Sequence, residues 1–392
     1  MKKIYYDTLY LTACAVNAVK PAERCLVAYR AEPEKLEELY RSSHAHYLDT
    51  LVGMAFQETG ITLPGQWRES MAKSVRKELL FDAERAGILA FMERSGIWYL
   101  PLKGCVLKDL YPGTGTRQMS DNDILFDAAY ADTVKKYMVS QGYEAVAFGQ
   151  GVHDVYYKPP VCNFEMHRAL YGDAQQLGWV EYYAGIKERL TLTEGSLYGY
   201  HMRDEDFYVY IVSHAYKHYR AGGTGLRTLL DFYLYLREKK ETMNFGYVQH
   251  ECRALGITDF EEVSRRLSQM LFSRETALEY AQDFFECRLS ERELEMLQYC
   301  VNSGVYGNFE QKIQNRMKRY KDENGAFSKG RYYLKRLFPE MKFYQNYYPF
   351  FYRHKYLLPV GWFYRLLRRI FAKRRRKEML YEIHTVQKTK ET

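Results

Sequence analysis

Two aspartates one residue apart, Asp121 and Asp123, stand at the entrance to the apolar run Ile124-Leu125-Phe126. Side chains two apart on a strand share a face, so this spacing aims both carboxylates at one place, where they can share divalent cations. Phosphoryl and nucleotidyl transfer use such pairs, because two metal ions about 4 Å apart stabilise both the attacking and the leaving oxygen of an in-line displacement. The candidate third acid is Glu165. Its neighbours Phe164 and Met166 should face a core on the opposite side, and a carboxylate backed by a core needs a partner of the kind a metal supplies.

An Asp-x-Asp alone arises often by chance on a solvated turn. Here the pair follows Gly104 by seventeen residues and precedes an acid on a second predicted strand. Gly104 would let the backbone approach a phosphate, and the free N–H groups of the helix it opens would point at that anion. Lys103 adds a point charge and Arg117 a forked one. For these two bases a plain strand-to-helix turn with surface charges stays open as the alternative. His167, two after Glu165, shares its face and positions that carboxylate or the acceptor, unless it is a satisfied core histidine.

His214 and His218, four apart on a predicted helix, also share a face, with Asp231 on the next helix. That spacing can hold a metal, but no Glu follows His214 as a zinc-protease motif requires. Contact with the nucleotide or acceptor by His214, Lys217, His218 or Arg227 is the favoured functional role. The competing reading is a structural network in which Asp231 pairs with Arg227.

The elements that must position these groups fall into four stretches. Residues 1–80 read as helical, with apolar side chains at spacings of three and four. Residues 81–175 hold a helix, a short apolar strand at 97–102, further strands at 123–126, 144–148, 155–158 and 163–168, and an amphipathic helix near 130–141. From 176 to 330 the signal returns to helix, in one-sided stripes at 207–219, 226–238 and 277–288. Residues 331–392 form an aromatic and basic tail, expected to pack partly on the body and to end in an exposed cationic helix. The fold class is therefore α+β, a small mixed-sheet core flanked by helical regions.

Composition narrows the function classes. The chain of 392 residues carries a formal charge of +8, yet residues 353–377 alone hold ten Lys or Arg and no acid. The body is thus near neutral, which disfavours nucleic acid as partner. Seven scattered cysteines without a Cys-x-x-Cys pair suit free thiols in a reducing cytoplasm. No apolar stretch reaches the roughly twenty residues that span a bilayer, and Asp7 with two tyrosines interrupts what would be the apolar part of a leader. The 38 tyrosines are spread through the predicted elements, as packing explains before base stacking does. In the tail a cationic and an aromatic-aliphatic face coincide, which suits an anionic membrane surface, RNA or an acidic partner; a solvated terminal helix is the plain alternative.

The order Leu102-Lys103-Gly104, Tyr111-Pro112, Arg117, Asp121-x-Asp123 and Glu165-x-His167 resembles a bacterial group of uncharacterised nucleotidyltransferases within the DNA polymerase β superfamily. His214, Lys217 and His218, then Gly225-Leu226-Arg227 and Asp231, are similar to its helical segment. Leu337-Phe338-Pro339 and Leu357-Leu358-Pro359 are similar, more weakly, to its end, so the resemblance runs over about 80–370. In that superfamily a Gly-Ser pair usually precedes the Asp-x-Asp; here, as in the group, Lys103-Gly104 takes its place. The resemblance implies a five-stranded or similar mixed sheet, Mg²⁺ (or Mn²⁺) held by Asp121 and Asp123, Glu165 completing the acidic trio, and a nucleoside triphosphate as donor. Asn122 departs from the usual apolar residue between the aspartates, so the strand is expected to start later or to have a less buried back.

These readings combine into a cytoplasmic enzyme, with peripheral contact to the inner face of the membrane through its tail. It moves a nucleoside monophosphate from an NTP to an unidentified small-molecule, peptide or protein acceptor. Lys103, Gly104 and Arg117 hold the triphosphate, and the helical regions wall the acceptor. A non-catalytic nucleotide-binding scaffold with a membrane- or partner-binding tail is the alternative.

Overall fold

The computed structural model describes residues 2–388 apart from 173–177, 282–286, 305–306, 308, 319–326, 340, 342, 345–347 and 372. Five strands form one mixed sheet: β1 (Tyr99–Pro101), β2 (Asn122–Phe126), β3 (Glu144–Ala147), β4 (His153–Lys158) and β5 (Cys162–His167), in the order β1-β2-β5-β4-β3. Only the β2–β5 pair is parallel; the others are antiparallel. The chain is α+β, with helices before and after this sheet.

Four helices open the chain: α1 (Lys3–Val16), α2 (Glu23–Ala31), α3 (Glu34–Ala45) and α4 (Asp49–Ala55). They lead into α5 (Gly65–Arg94), so residue 80, where the sequence pattern changes, lies inside one continuous 30-residue helix. After β1 comes a single turn, α6 (Gly104–Leu107), and between β2 and β3 lies α7 (Ala131–Ser140).

One face of the sheet is apolar because alternate residues of each strand point the same way. Ile124 and Phe126 of β2, Tyr156 of β4, and Phe164 and Met166 of β5 pack there against Phe81, Ile88 and Met92 of α5 and Val134 and Met138 of α7. Asn122 shares that face, is fully buried, and accepts a 2.8 Å hydrogen bond from Arg85 of α5. The strand therefore begins at Asn122 with a closed back, correcting the expectation of a later start or a looser back face. The arginine supplies what an apolar residue would not need.

The opposite face meets the second helical region: α8 (Val180–Tyr183), α9 (Asp204–Ala221), α10 (Leu226–Lys239), α11 (Phe245–Ala254), α12 (Thr258–Phe272) and α13 (Arg274–Leu278). A single core joins these helices to α1, α3 and α4, with Leu9, Leu39, Leu51, Val212, Leu230 and Leu267 fully buried together. Asp7, the charge that breaks the apolar start of the chain, lies inside it and accepts hydrogen bonds from Tyr29 (2.6 Å) and Tyr280 (2.8 Å). Burial of a carboxylate requires such donors, which accounts for some of the tyrosines.

Two features differ from the helical reading of 176–330. A hairpin of β6 (Leu190–Leu192) and β7 (Tyr200–Met202) interrupts it and is tied to β1 by Tyr99 N–H donating to Tyr198 O at 2.9 Å. The helix expected at 277–288 ends at Leu278, Glu279–Ala281 are not helical, and residues 282–286 lie outside the described residues. In the tail, the helix Lys373–Lys388 packs on Phe309–Lys318 and Lys329–Leu337, with Ile313, Tyr332 and Val386 fully buried between them. No helix among the described residues is long and apolar enough to cross a membrane.

Candidate active site

The parallel register of β2 and β5 sets Asp123 opposite Glu165 and Leu125 opposite His167. These four share the sheet face turned away from α5, since their alternate neighbours Ile124, Phe164 and Met166 fill the other side. Asp121 sits one residue ahead of β2, in the turn that enters it. A cleft of about 500 Å³ lies over this face. Its far wall is built by His214, Lys217 and His218 of α9 and by Arg227 and Asp231 of α10. The residues singled out from the sequence line this one cleft: Lys103, Gly104, Arg117, Asp121, Asp123, Glu165, His167, His214, Lys217 and His218, with Arg227 and Asp231.

The centre of the site is Asp123 Oδ1. Lys103 Nζ donates to it at 2.7 Å and His167 Nε2 lies at 2.8 Å. Burial alone would raise the Asp123 carboxyl, but the Lys103 ammonium and His167 outweigh it and hold the group below its usual range. The Asp121 carboxylate has no hydrogen bond or ion pair among the described residues, and burial together with the Asp123 charge raises its pKa. Glu165 is pushed up to about 7 by burial and then by Asp123 and Asp121. Three carboxylates whose charges resist one another in a closed cleft, with a single ammonium on one of them, are a donor set that fits divalent cations.

The backbone carrying Lys103 is unusual. Its φ is 45° and its ψ is −111°, a left-handed conformation that glycine enters freely and lysine does not. Lysine here occupies backbone suited to glycine, at a cost of about 1–3 kcal/mol, and in return places its ammonium on Asp123. Gly104 is also closely approached by side chains. A Cβ there would lie 2.6 Å from Arg117 Nη1 and 3.0 Å from Met119 Sδ, so the glycine makes room for the arginine. The helix it opens is one turn, running into a tighter turn at Lys108–Leu110. That is too little aligned backbone for the anion-binding helix end anticipated from sequence.

Arg117 is buried, and its Nε and Nη2 donate to the two oxygens of Asp231, both at 2.8 Å. Tyr111 Oη donates to Asp231 Oδ1 as well, at 2.8 Å. This corrects the pairing of Asp231 with Arg227. Arg227 instead donates to the Gln118 carbonyl and lies over the Tyr47 ring. The loop before β2 is thereby fixed to α10, and Gly115 N–H donating to Glu78 at 2.8 Å ties it to α5.

On α9, His214 Nε2 and His218 Nε2 are 3.2 Å apart, the i to i+4 contact the spacing implied. Burial, then the Lys103 and Lys217 charges, keep His214 neutral, its pKa well below the usual value. Lys217 is lowered to about 8 by burial and by Lys103, against Asp123 and Glu165, which raise it. Among the described residues, the group of three potential ligands closest together is not the His214–His218 pair with Asp231 but His153, Glu165 and His167, within 4.8 Å of one another. Sequence reasoning missed His153 because it began that strand at Val155; the residue opens β4 directly opposite His167.

A family model described as uncharacterised nucleotidyltransferase matches residues 32–273. The match starts earlier and ends sooner than the 80–370 expected, so it takes in α4 and α5 and leaves out Leu337-Phe338-Pro339 and Leu357-Leu358-Pro359. No curated protein and no solved structure matches the chain.

Proposed function

The chain belongs to the uncharacterised nucleotidyltransferase family, and from that premise we propose that it is a metal-dependent enzyme transferring a nucleoside monophosphate from an NTP to a hydroxyl or phosphate acceptor. The observation that carries this is the β2–β5 register, which sets Asp123 beside Glu165 with Asp121 one step away, over a cleft walled by Lys103, Lys217 and Arg227. Asp121 and Asp123 hold Mg²⁺ or Mn²⁺ and Glu165 completes the set. The cations supply charge neutralisation on the triphosphate and on the entering and leaving oxygens.

The chain's own residues do the rest. Lys103 and Lys217 face the phosphates, and Gly104 with Arg117 shapes the floor beneath them. Arg117 keeps two nitrogens on Asp231 and offers Nη1 to the donor. Glu165, facing the cleft beside Asp123, takes the acceptor proton. The acceptor oxygen bonds to the α-phosphorus, the bond from that phosphorus to the bridging oxygen breaks, and pyrophosphate leaves. The acceptor is a small molecule, a peptide or a protein.

The tail adds a location. Val360, Phe363, Tyr364, Leu367 and Phe371 make an exposed apolar stripe at helical spacing on Leu358–Phe371, where Arg368 is exposed too, and Arg376 and Lys377 are exposed on the helix that follows. We place this face on an anionic bilayer, as its charge and its stripe both suit. The protein should cosediment with vesicles containing an anionic phospholipid and not with zwitterionic ones, and a Phe363→Ser/Phe371→Ser variant should lose that binding. Equal binding of variant and wild type would remove the membrane assignment.

The donor reading is tested by calorimetric titration of each NTP with Mg²⁺ or Mn²⁺ into wild type and into Asp121→Asn/Asp123→Asn. Metal-dependent binding that the double variant loses supports it. Absence of binding to all four NTPs overturns it and leaves a scaffold that keeps the fold without the chemistry.

A further inference from the structure

Asp121, Asp123 and Glu165 offer a cation only oxygen, but beside them lies a group with two nitrogens. His153 opens β4 and stands opposite His167 on the antiparallel neighbour β5, and Glu165, two residues from His167, shares that face. The two rings have centroids 4.9 Å apart. Glu165 Oε2 is 3.6 Å from His153 Nε2 and 3.7 Å from His167 Nε2. Both spacings are too long for hydrogen bonds, whose usual length is about 2.9 Å. They are near the edge of a tetrahedron around an ion with bonds of about 2.0–2.1 Å, which works out at about 3.4 Å. Nε2 of His167 is turned to Asp123 at 2.8 Å, but no such bond turns the His153 ring, and Nδ1 of each ring is buried with no partner among the described residues.

We propose that His153, Glu165 and His167 bind a first-row transition ion of the Zn²⁺ class, in a seat distinct from that of Asp121 and Asp123 and sharing only Glu165 with the acidic trio. Two imidazoles and one carboxylate favour such an ion over Mg²⁺, which demands oxygen ligands and gives up water reluctantly. The fourth position opens to the cleft, for water or an acceptor oxygen. On binding, the His167 proton moves from Nε2 to the buried Nδ1, and the Nε2 bond to Asp123 is exchanged for the metal. Asp123 keeps Lys103 at 2.7 Å, so the exchange strands no charge. The inference rests on the nucleotidyltransferase reading only for the sharing of Glu165; the seat itself is independent of it.

The test uses the full chain, stripped with chelator and dialysed against Zn²⁺ in excess Mg²⁺, with bound zinc counted per chain and NTP titrated separately with Mg²⁺ alone. Wild type should retain one Zn²⁺, and His153→Ala should hold it more than about tenfold less tightly. His153→Gln, closer in size, serves as second variant, and a thermal melt shows that each is folded. No retention by wild type in excess Mg²⁺ overturns the proposal. So does retention unchanged in both variants, as capture by the exposed Cys287 thiol would give. Zinc retention without NTP binding upholds this seat while removing the nucleotidyltransferase reading, and NTP binding without zinc retention does the reverse.

Discussion

Asp231→Ala removes the partner of a buried arginine. Arg117 has about 6% of its surface exposed and gives Nε and Nη2 to Asp231, so the variant leaves a guanidinium enclosed without its countercharge. Breaking such a pair costs about 3–5 kcal/mol. Tyr111 loses its acceptor in the same step, which adds about 1 kcal/mol. The expected loss is therefore about 4–6 kcal/mol, a large part of the roughly 5–15 kcal/mol that holds a domain folded. Urea unfolding followed by tryptophan fluorescence reads this as a lower midpoint at similar slope. The control is Arg117→Met/Asp231→Leu, which replaces the pair by apolar groups and strands only the Tyr111 hydroxyl, so it should lose about 1 kcal/mol. A double variant as unstable as Asp231→Ala, or a single variant losing under about 1 kcal/mol, would refute the claim that this pair anchors the site loop to α10.

Three further outcomes are expected. Gly104→Ala drives a Cβ to within 2.6 Å of Arg117 Nη1 and should cost about 1–3 kcal/mol, an effect that shrinks in an Arg117→Met background; an equal cost in both backgrounds would mean that the arginine is not what the glycine accommodates. Lys103→Gly and Lys103→Ala both lose the ammonium and differ at the strained backbone, so the glycine variant should be more stable by about 1 kcal/mol after its extra chain entropy is counted, and an alanine variant that is equal or better contradicts the strain. His46 is lowered to about 4 by burial, so below the ordinary histidine range the unfolded chain binds a proton that the folded one refuses. Stability should therefore be unaffected by this group above about pH 6.5 and fall as pH drops towards 4, by about 3 kcal/mol in all. His46→Leu should flatten that part of the pH profile, and an unchanged profile would show that His46 is not its source.

Sequence determined what depends on local spacing. Period-two alternation around Asp123 and around Glu165 identified two strands with an acid on one face and apolar neighbours on the other, and β2 and β5 have that form. The stripes at 207–219 and 226–238 identified α9 and α10, because a helical repeat is read within one segment. Spacing also put His214 and His218 in contact. Asn122 looked like a weakness in β2 only because Arg85, 37 residues away, was not visible as its partner.

Tertiary structure decided the pairings between distant segments, which no local period encodes. Arg117 meets Asp231 across 114 residues, in place of the nearer Arg227, since α10 is held against the loop by a core that α1, α3 and α4 share. The hairpin of β6 and β7 gains its partner from β1, and its three-residue strands carry too little pattern to stand out alone. His153 joined Glu165 and His167 through strand register. A one-residue slip would turn it to the opposite face, and register is a property of the assembled sheet.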